Sequence, residues 1–169
     1  NDINFRGYVA GPLLGTAQSM AIYQNGMRVN ESFGEVVQWD LVPDFATHSM
    51  QIFTGGDPIF GQNALGGAIT MEMKNGFNFQ GANLTTSGGN HGRTNEILEY
   101  GQEFGDFGVY LGANFNYDNG YREHSESYLN TFYGDVRYRP NEDTELFVNF
   151  GQAYTCLLYT SPSPRDKHR

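Results

Sequence analysis

Phe107-Gly108-Val109-Tyr110-Leu111-Gly112-Ala113-Asn114-Phe115-Asn116-Tyr117 is the stretch on which the fold turns. Its odd positions carry Phe107, Val109, Leu111, Ala113, Phe115 and Tyr117. Its even positions carry Gly108, Tyr110, Gly112, Asn114 and Asn116. Successive side chains of a strand point to opposite faces, so the pattern describes a strand with one apolar face and one small or polar face. Soluble strands usually run about 5–6 residues, whereas a strand that crosses a bilayer at a tilt needs about 9–11. This run has the second length.

The pattern recurs. Tyr128, Phe132, Val136 and Tyr138 share a face opposite Thr131, Asp135, Arg137 and Arg139. Leu146, Val148, Phe150 and Tyr154 mark a further strand, and weaker runs occupy residues 77–86 and 94–102. The connections at residues 103–106 and 140–143 are short, and the one at 118–126 is longer. Outer-membrane barrels alternate short periplasmic turns with longer extracellular loops in this way. Val109, Leu111, Phe115, Phe132, Val136 and Val148 are therefore expected to face lipid, and Asn114, Asn116, Asp135 and Arg137 the lumen. A soluble β-sandwich is the alternative that pattern alone leaves open.

Composition agrees with a β-protein. The 169 residues include 22 Gly, 13 Phe and 11 Tyr against one Cys and one Trp, a mix that favours strands and turns over helices. Mean hydropathy is -0.52, and no apolar run is long enough for a transmembrane helix. A barrel escapes that test, because alternating strands keep average hydropathy low. The formal charge of -9 argues against a nucleic-acid partner. No signal peptide opens the chain; Asn1 reads as lying inside a strand, so residues upstream are expected to be missing.

Residues 1–75 have a different texture, with half the aromatics of residues 76–155. Asn25-Gly26, flanked by Ala21-Ile22-Tyr23-Gln24 and Met27-Arg28-Val29, predicts a tight hairpin. Residues 36–42 are expected to form one or two helical turns ended by Pro43. Residues 49–53 and 68–73 read as strands, separated by Gly55-Gly56-Asp57-Pro58 and a Gly-rich loop at 61–67. The boundary falls at Lys74-Asn75-Gly76, a polar turn.

Cys156 to Asp166 read CLLYTSPSPRD, which resembles, codon for codon, a translated transposase-type sequencing adapter. Residues 156–169 are therefore expected to be a non-native, irregular tail, with the native chain running on past Thr155. The tail holds the lone Cys, so no thiol or disulfide argument survives.

Three motifs in residues 4–75 carry a family resemblance. Asn4-Phe5-Arg6-Gly7-Tyr8 resembles an "R-G" strand, and Ile22-Tyr23-Gln24-Asn25-Gly26-Met27-Arg28 a "Y-x-D-G" hairpin. The run from Gly55 to Ile69, with Gly61, Gly66 and Gly67, resembles a Gly-rich plug segment, and Lys74 a strand end that follows it. In this order and spacing they resemble the plug of TonB-dependent outer-membrane receptors. Gln51 and Met73 depart from the family's usual Glu and Thr. The resemblance implies a mostly β, mixed α+β plug (1–75), followed by the first five or so antiparallel strands (76–155) of a plugged transmembrane barrel of about 22. It implies energy-coupled import of a scarce small ligand (siderophore, vitamin, glycan or metal chelate) in the outer membrane of a Gram-negative bacterium. It implies a TonB-type energy-coupling partner engaging an upstream segment, and no enzyme activity. By motif, ligand contacts carry over to Arg6 and Asn30, with Glu31, Ser32 and Phe33 continuing the same pocket.

Rival chemistries lack motifs. His48, His91 and His124 are too dispersed to suggest a local metal site. No Gly-x-Ser-x-Gly occurs, and Gly66-Gly67 lacks the Lys-Ser/Thr that grips phosphates. Glu31 and Glu35 are spaced for one helix face, but Gly34 argues against a helix. No cofactor is expected. The alternative function is a non-transporting surface β-protein, an adhesin or carbohydrate-binding barrel or sandwich, which would need none of the plug motifs.

Overall fold

The computed structural model describes residues 3–13, 19–120 and 126–157. Its strands form three sheets. β1 (Ile3–Phe5) and β2 (Tyr8–Ala10) make a two-stranded hairpin. β3 (Met20–Gln24), β4 (Met27–Arg28), β5 (Thr47–Thr54) and β6 (Gly67–Met73) form a small sheet in the order β4-β3-β6-β5. β7 (Gly81–Gly88), β8 (Thr94–Phe104), β9 (Phe107–Asp118), β10 (Ser127–Asn141) and β11 (Thr144–Leu157) form an antiparallel meander, each strand paired with the next. The meander is open, with β7 and β11 as its edges.

Three expectations are corrected. Residues 36–42 are not α-helical, and the described residues contain no α-helix. The chain instead makes short 3-10 turns at Trp39–Leu41 and Asp44–Ala46. Pro43 separates them, holding Val42 extended at ψ 117°, as a residue before proline prefers. The "R-G" segment is a turn, not a strand. Arg6 and Gly7 have φ of 50° and 84°, the left-handed pair that a two-residue hairpin loop requires. Residues 77–79 precede the strand expected there. The Asn75 side chain accepts from the N–H groups of Phe77 (2.9 Å) and Asn78 (3.1 Å), closing a turn before β7 begins.

At the other end, β11 continues beyond Thr155, and Cys156 pairs with Tyr128. Pairing therefore does not stop at the junction with the expected irregular tail; residues 158–169 lie outside the described residues.

The register of the meander sorts its side chains. One face carries six rows running across the strands. The row at the short-turn end is Phe104, Phe107, Tyr138 and Leu146, and the next is Gln102, Val109, Val136 and Val148. At the opposite end lie Thr94, Tyr117, Tyr128 and Cys156. This face is exposed: Leu111 is 47%, Phe150 56% and Val148 72% accessible. The other face carries Tyr110, Asn114, Thr131, Tyr133, Asp135 and Arg137, all buried. The small sheet has the ordinary arrangement, with Met20, Ile22, Val37, Ile69, Met71 and Met73 in a core that also takes in Tyr110 and Tyr133 of the meander.

Candidate functional site

Two places on the small sheet matter: its junction with the meander and its opposite, loop-bearing end. At the junction, Lys74 follows β6 directly and pairs with Glu99 of β8. Its ammonium also donates to the Phe45 carbonyl (2.8 Å) and lies 5.0 Å from the centre of the Phe79 ring. Glu99 accepts further hydrogen bonds from the Tyr110 hydroxyl (2.8 Å) and the Asn83 amide (3.0 Å). Such a carboxylate is fully partnered, which is what makes its burial tolerable.

Close backbone approach completes the junction. A Cβ on Gly108 would strike the Phe77 ring, and one on Gly112 the Phe45 ring. The two glycines thus let aromatics approach the meander backbone closely. The Asn25 amide, at the β3–β4 turn, donates to the Tyr133 hydroxyl (3.2 Å) and accepts from the Met73 N–H (2.9 Å). Lower on the wall, Arg137 bridges Asp135 (2.9 Å) and Glu145 (2.7 Å), and Arg139 joins Glu145.

The loop-bearing end lies where β6 begins, because Gly67 pairs with Met20 and with Thr54. Tyr8 packs its ring onto Gly66, which brings the Arg6-Gly7 turn to this end. Arg28 ties in the residues after the hairpin. Its guanidinium meets Glu35 (2.7 Å) and the Gln62 carbonyl (2.8 Å). The Tyr23 hydroxyl donates to the Phe60 carbonyl (2.7 Å). Gly61, Gly66 and Gly67 all belong to this loop or its exit.

The sequence-derived candidates divide here. Arg6 is exposed, stacks on Phe5 at 5.3 Å and has no acid partner among the described residues. Glu31 and Phe33 are exposed, Phe33 at 79%. Asn30 is committed to the backbone: it accepts from the Ile22 N–H (2.8 Å) and donates to the carbonyls of Met20 (3.0 Å) and Glu35 (3.1 Å). An amide so engaged shapes the exit loop. Sequence reading missed Arg28, Ile59 and Leu65. The last two are exposed apolar residues at 79% and 70%; Leu65 lines a cleft of about 460 Å³ together with Asp57, Gln62 and Asn63 among others. The Gly-Asp-Pro run was visible, but nothing in it told which side chains the loop would turn outward.

His48 is exposed at the start of β5; His124 and the His91 side chain lie outside what is described. Among the described residues no three His, Cys, Asp or Glu groups gather as a metal site.

Searches against family models and curated proteins give no match. Solved structures do match. The pyoverdine outer membrane receptor FpvA from Pseudomonas aeruginosa PAO1, bound to pyoverdine, superposes with a TM-score of 0.65 over 92% of this chain at 16% identity. The chain folds like a segment of an outer-membrane receptor. P. aeruginosa FpvA bound to a heterologous pyoverdine gives 0.65 at 14% identity, as does the FpvAI–pyocin S2 complex. The chain spans 20–22% of the length of those receptors. These neighbours are receptors, not enzymes.

Proposed function

We propose that the chain is the plug end and first barrel strands of a TonB-dependent receptor in a Gram-negative outer membrane. In this reading it imports a scarce small ligand when a TonB-type partner, engaging a segment outside this sequence, displaces the plug. The observation that carries the reading is the reversal of faces in the meander. Its outward rows are apolar for the most part, with Gln102, Glu96 and Asn130 among them, whereas Asn114, Thr131, Asp135 and Arg137 point inward onto the small sheet, which suits lipid outside and a filled lumen inside. The six rows, from Phe107 to Tyr117 on β9, lie ten residue steps apart end to end, about 33 Å along a strand at about 3.3 Å per residue. Tilted by about 45°, that is close to the 25 Å apolar band of such barrels. Phe104, Phe107 and Tyr138 at one end, with Tyr117 and Tyr128 at the other, supply the aromatic girdles.

The ligand is assigned to the loop-bearing end of the plug. Arg6, with five donors in a planar fork, meets its carboxylate or carbonyl oxygens. Glu31, Phe33, Ile59 and Leu65, exposed on the neighbouring loops, are assigned to the same site, and Asn30 holds the loop that carries Phe33. The test is expression of the complete gene in an outer-membrane-competent host. The expected protein stays in urea-washed outer membranes, shifts on gels with heating, and supports uptake only when the coupling protein is present. A soluble monomer with a sharp cooperative melt overturns the reading in favour of the β-sandwich.

A further inference from the structure

The exposed face of the meander is not uniformly convex. A cleft of about 560 Å³ crosses its middle. One bank is the row Ala82, Tyr100, Leu111 and Phe150; the other is Leu84, Leu98, Ala113 and Phe132. Between them runs the row Asn83, Glu99, Gly112 and Tyr133, whose register alternates with both banks, so that it forms the floor. Gly134 explains part of the depth. It shares the first bank with Leu111 and Phe150, and a Cβ there would collide with the Phe150 ring. Ala82 and Ala113 keep the banks low elsewhere. The groove therefore runs across the strands, over five strands and about 19 Å at a spacing of about 4.8 Å.

We infer that this groove seats one acyl chain of a phospholipid, a site that rests on the membrane reading above. Neither bank carries a charge; the residues named are hydrocarbon or aromatic, and Gln152 ends the second bank on β11. Access is asymmetric. Toward the short turns the next row is Gln102, Val109, Val136 and Val148, nearly all apolar. Toward the long loop the next row is Thr86, Glu96, Phe115, Asn130 and Tyr154, whose Glu96 carboxylate and Asn130 amide an acyl chain would have to desolvate in crossing. The chain therefore enters from the leaflet on the short-turn side, where the lipid is a phospholipid. Its methylenes gain packing against Phe132 and Phe150 that a smooth lipid-facing wall does not offer.

The complete receptor, folded into vesicles of palmitoyl-oleoyl phosphatidylethanolamine and phosphatidylglycerol and then moved to detergent, tests this by native mass spectrometry. Wild type is expected to keep one phospholipid. Ala113→Trp fills the groove and should lower the bound fraction about tenfold, the contact of roughly two methylenes. Tyr128→Trp, outward-facing at the long-loop end and off the entry path, should leave it unchanged. Heat-modifiability checks the fold of each variant, and Ala113→Leu serves if the Trp protein fails to assemble. Equal retention by the Ala113 and Tyr128 variants, no retained lipid in wild type, or retention only from parallel vesicles to which lipid A has been added overturns the groove alone. Release of wild type from vesicles by urea overturns the membrane reading beneath it.

Discussion

The small sheet and the meander bury opposite things. In the small sheet, Met20, Ile22, Ile69 and Met73 are inside, as they are in any protein that folds in water. In the meander, Asp135, Arg137, Asn114 and Thr131 are inside, while Leu111, Val136, Val148 and Phe150 are outside. The difference teaches that alternation alone does not say which face is buried. In the proposed membrane setting both sheets place their apolar side chains away from water, which for the meander means outward. The two meet at a junction built on polar partnering, and each prediction below bears on that reversal or on the junction.

The largest effect is expected at the junction. Glu99 is only 5% exposed in its side chain, so Lys74→Met should strand a buried charge and destabilise the complete protein by about 3–5 kcal/mol. Urea unfolding in detergent measures it. Adding Glu99→Gln should recover most of the loss. A single variant within 1 kcal/mol of wild type, a spread typical of surface changes, means that Tyr110 and Asn83 suffice and that the junction is not held by the pair.

Next comes the reversal itself. Leu111→Arg should cost roughly 2–4 kcal/mol, as Arg does on a lipid face at mid-membrane, and should reduce the heat-modifiable, assembled fraction. Asn116→Arg, on the inward face, should assemble nearly normally. Equal tolerance of the two removes the distinction between the faces.

Arg6 sharpens the contrast between the small sheet's two ends. If it holds ligand, Arg6→Ala should weaken binding by about 1.5–3 kcal/mol, the worth of a charged hydrogen bond, without opening the pore to small antibiotics. A leak with unchanged affinity places Arg6 among the groups that seat the plug. The smallest effect belongs to the Arg28–Glu35 pair, whose side chains are 27% and 24% exposed. Glu35→Gln should cost about 0.5 kcal/mol, since exposed pairs contribute little. A cost above about 2 kcal/mol, outside the range for such pairs, makes that salt bridge, not the Asn30 bonds, the clasp of the exit loop.

Much of this was legible in the residues. The period of two in 107–117 and 128–138 fixed both strands and the split between their faces, because side-chain direction along a strand is a local property. Asn25-Gly26 announced its turn for an equally local reason: few residues tolerate positive φ. The expectation failed where local signals were ambiguous. Val36 to Val42 carries no strong helix signal beyond its polar–apolar mix, and Pro43 allowed only single 3-10 turns on either side. Arg6-Gly7 was read as strand because a non-glycine residue at φ 50° leaves no mark in composition. Which groups the Asn30 amide meets, three backbone groups from two segments, is likewise set by the fold and not by its neighbours in sequence.

By itself, then, the sequence determined the strands, their lengths and the two chemistries of their faces, all set by neighbours within a few residues. Tertiary structure alone decided that Lys74 would meet Glu99, that Phe45 and Phe77 would rest on Gly112 and Gly108, and that Tyr8 and Arg28 would draw three loops to one end. Those contacts join residues 25 or more positions apart. They depend on the register and docking of whole sheets, which no local pattern encodes.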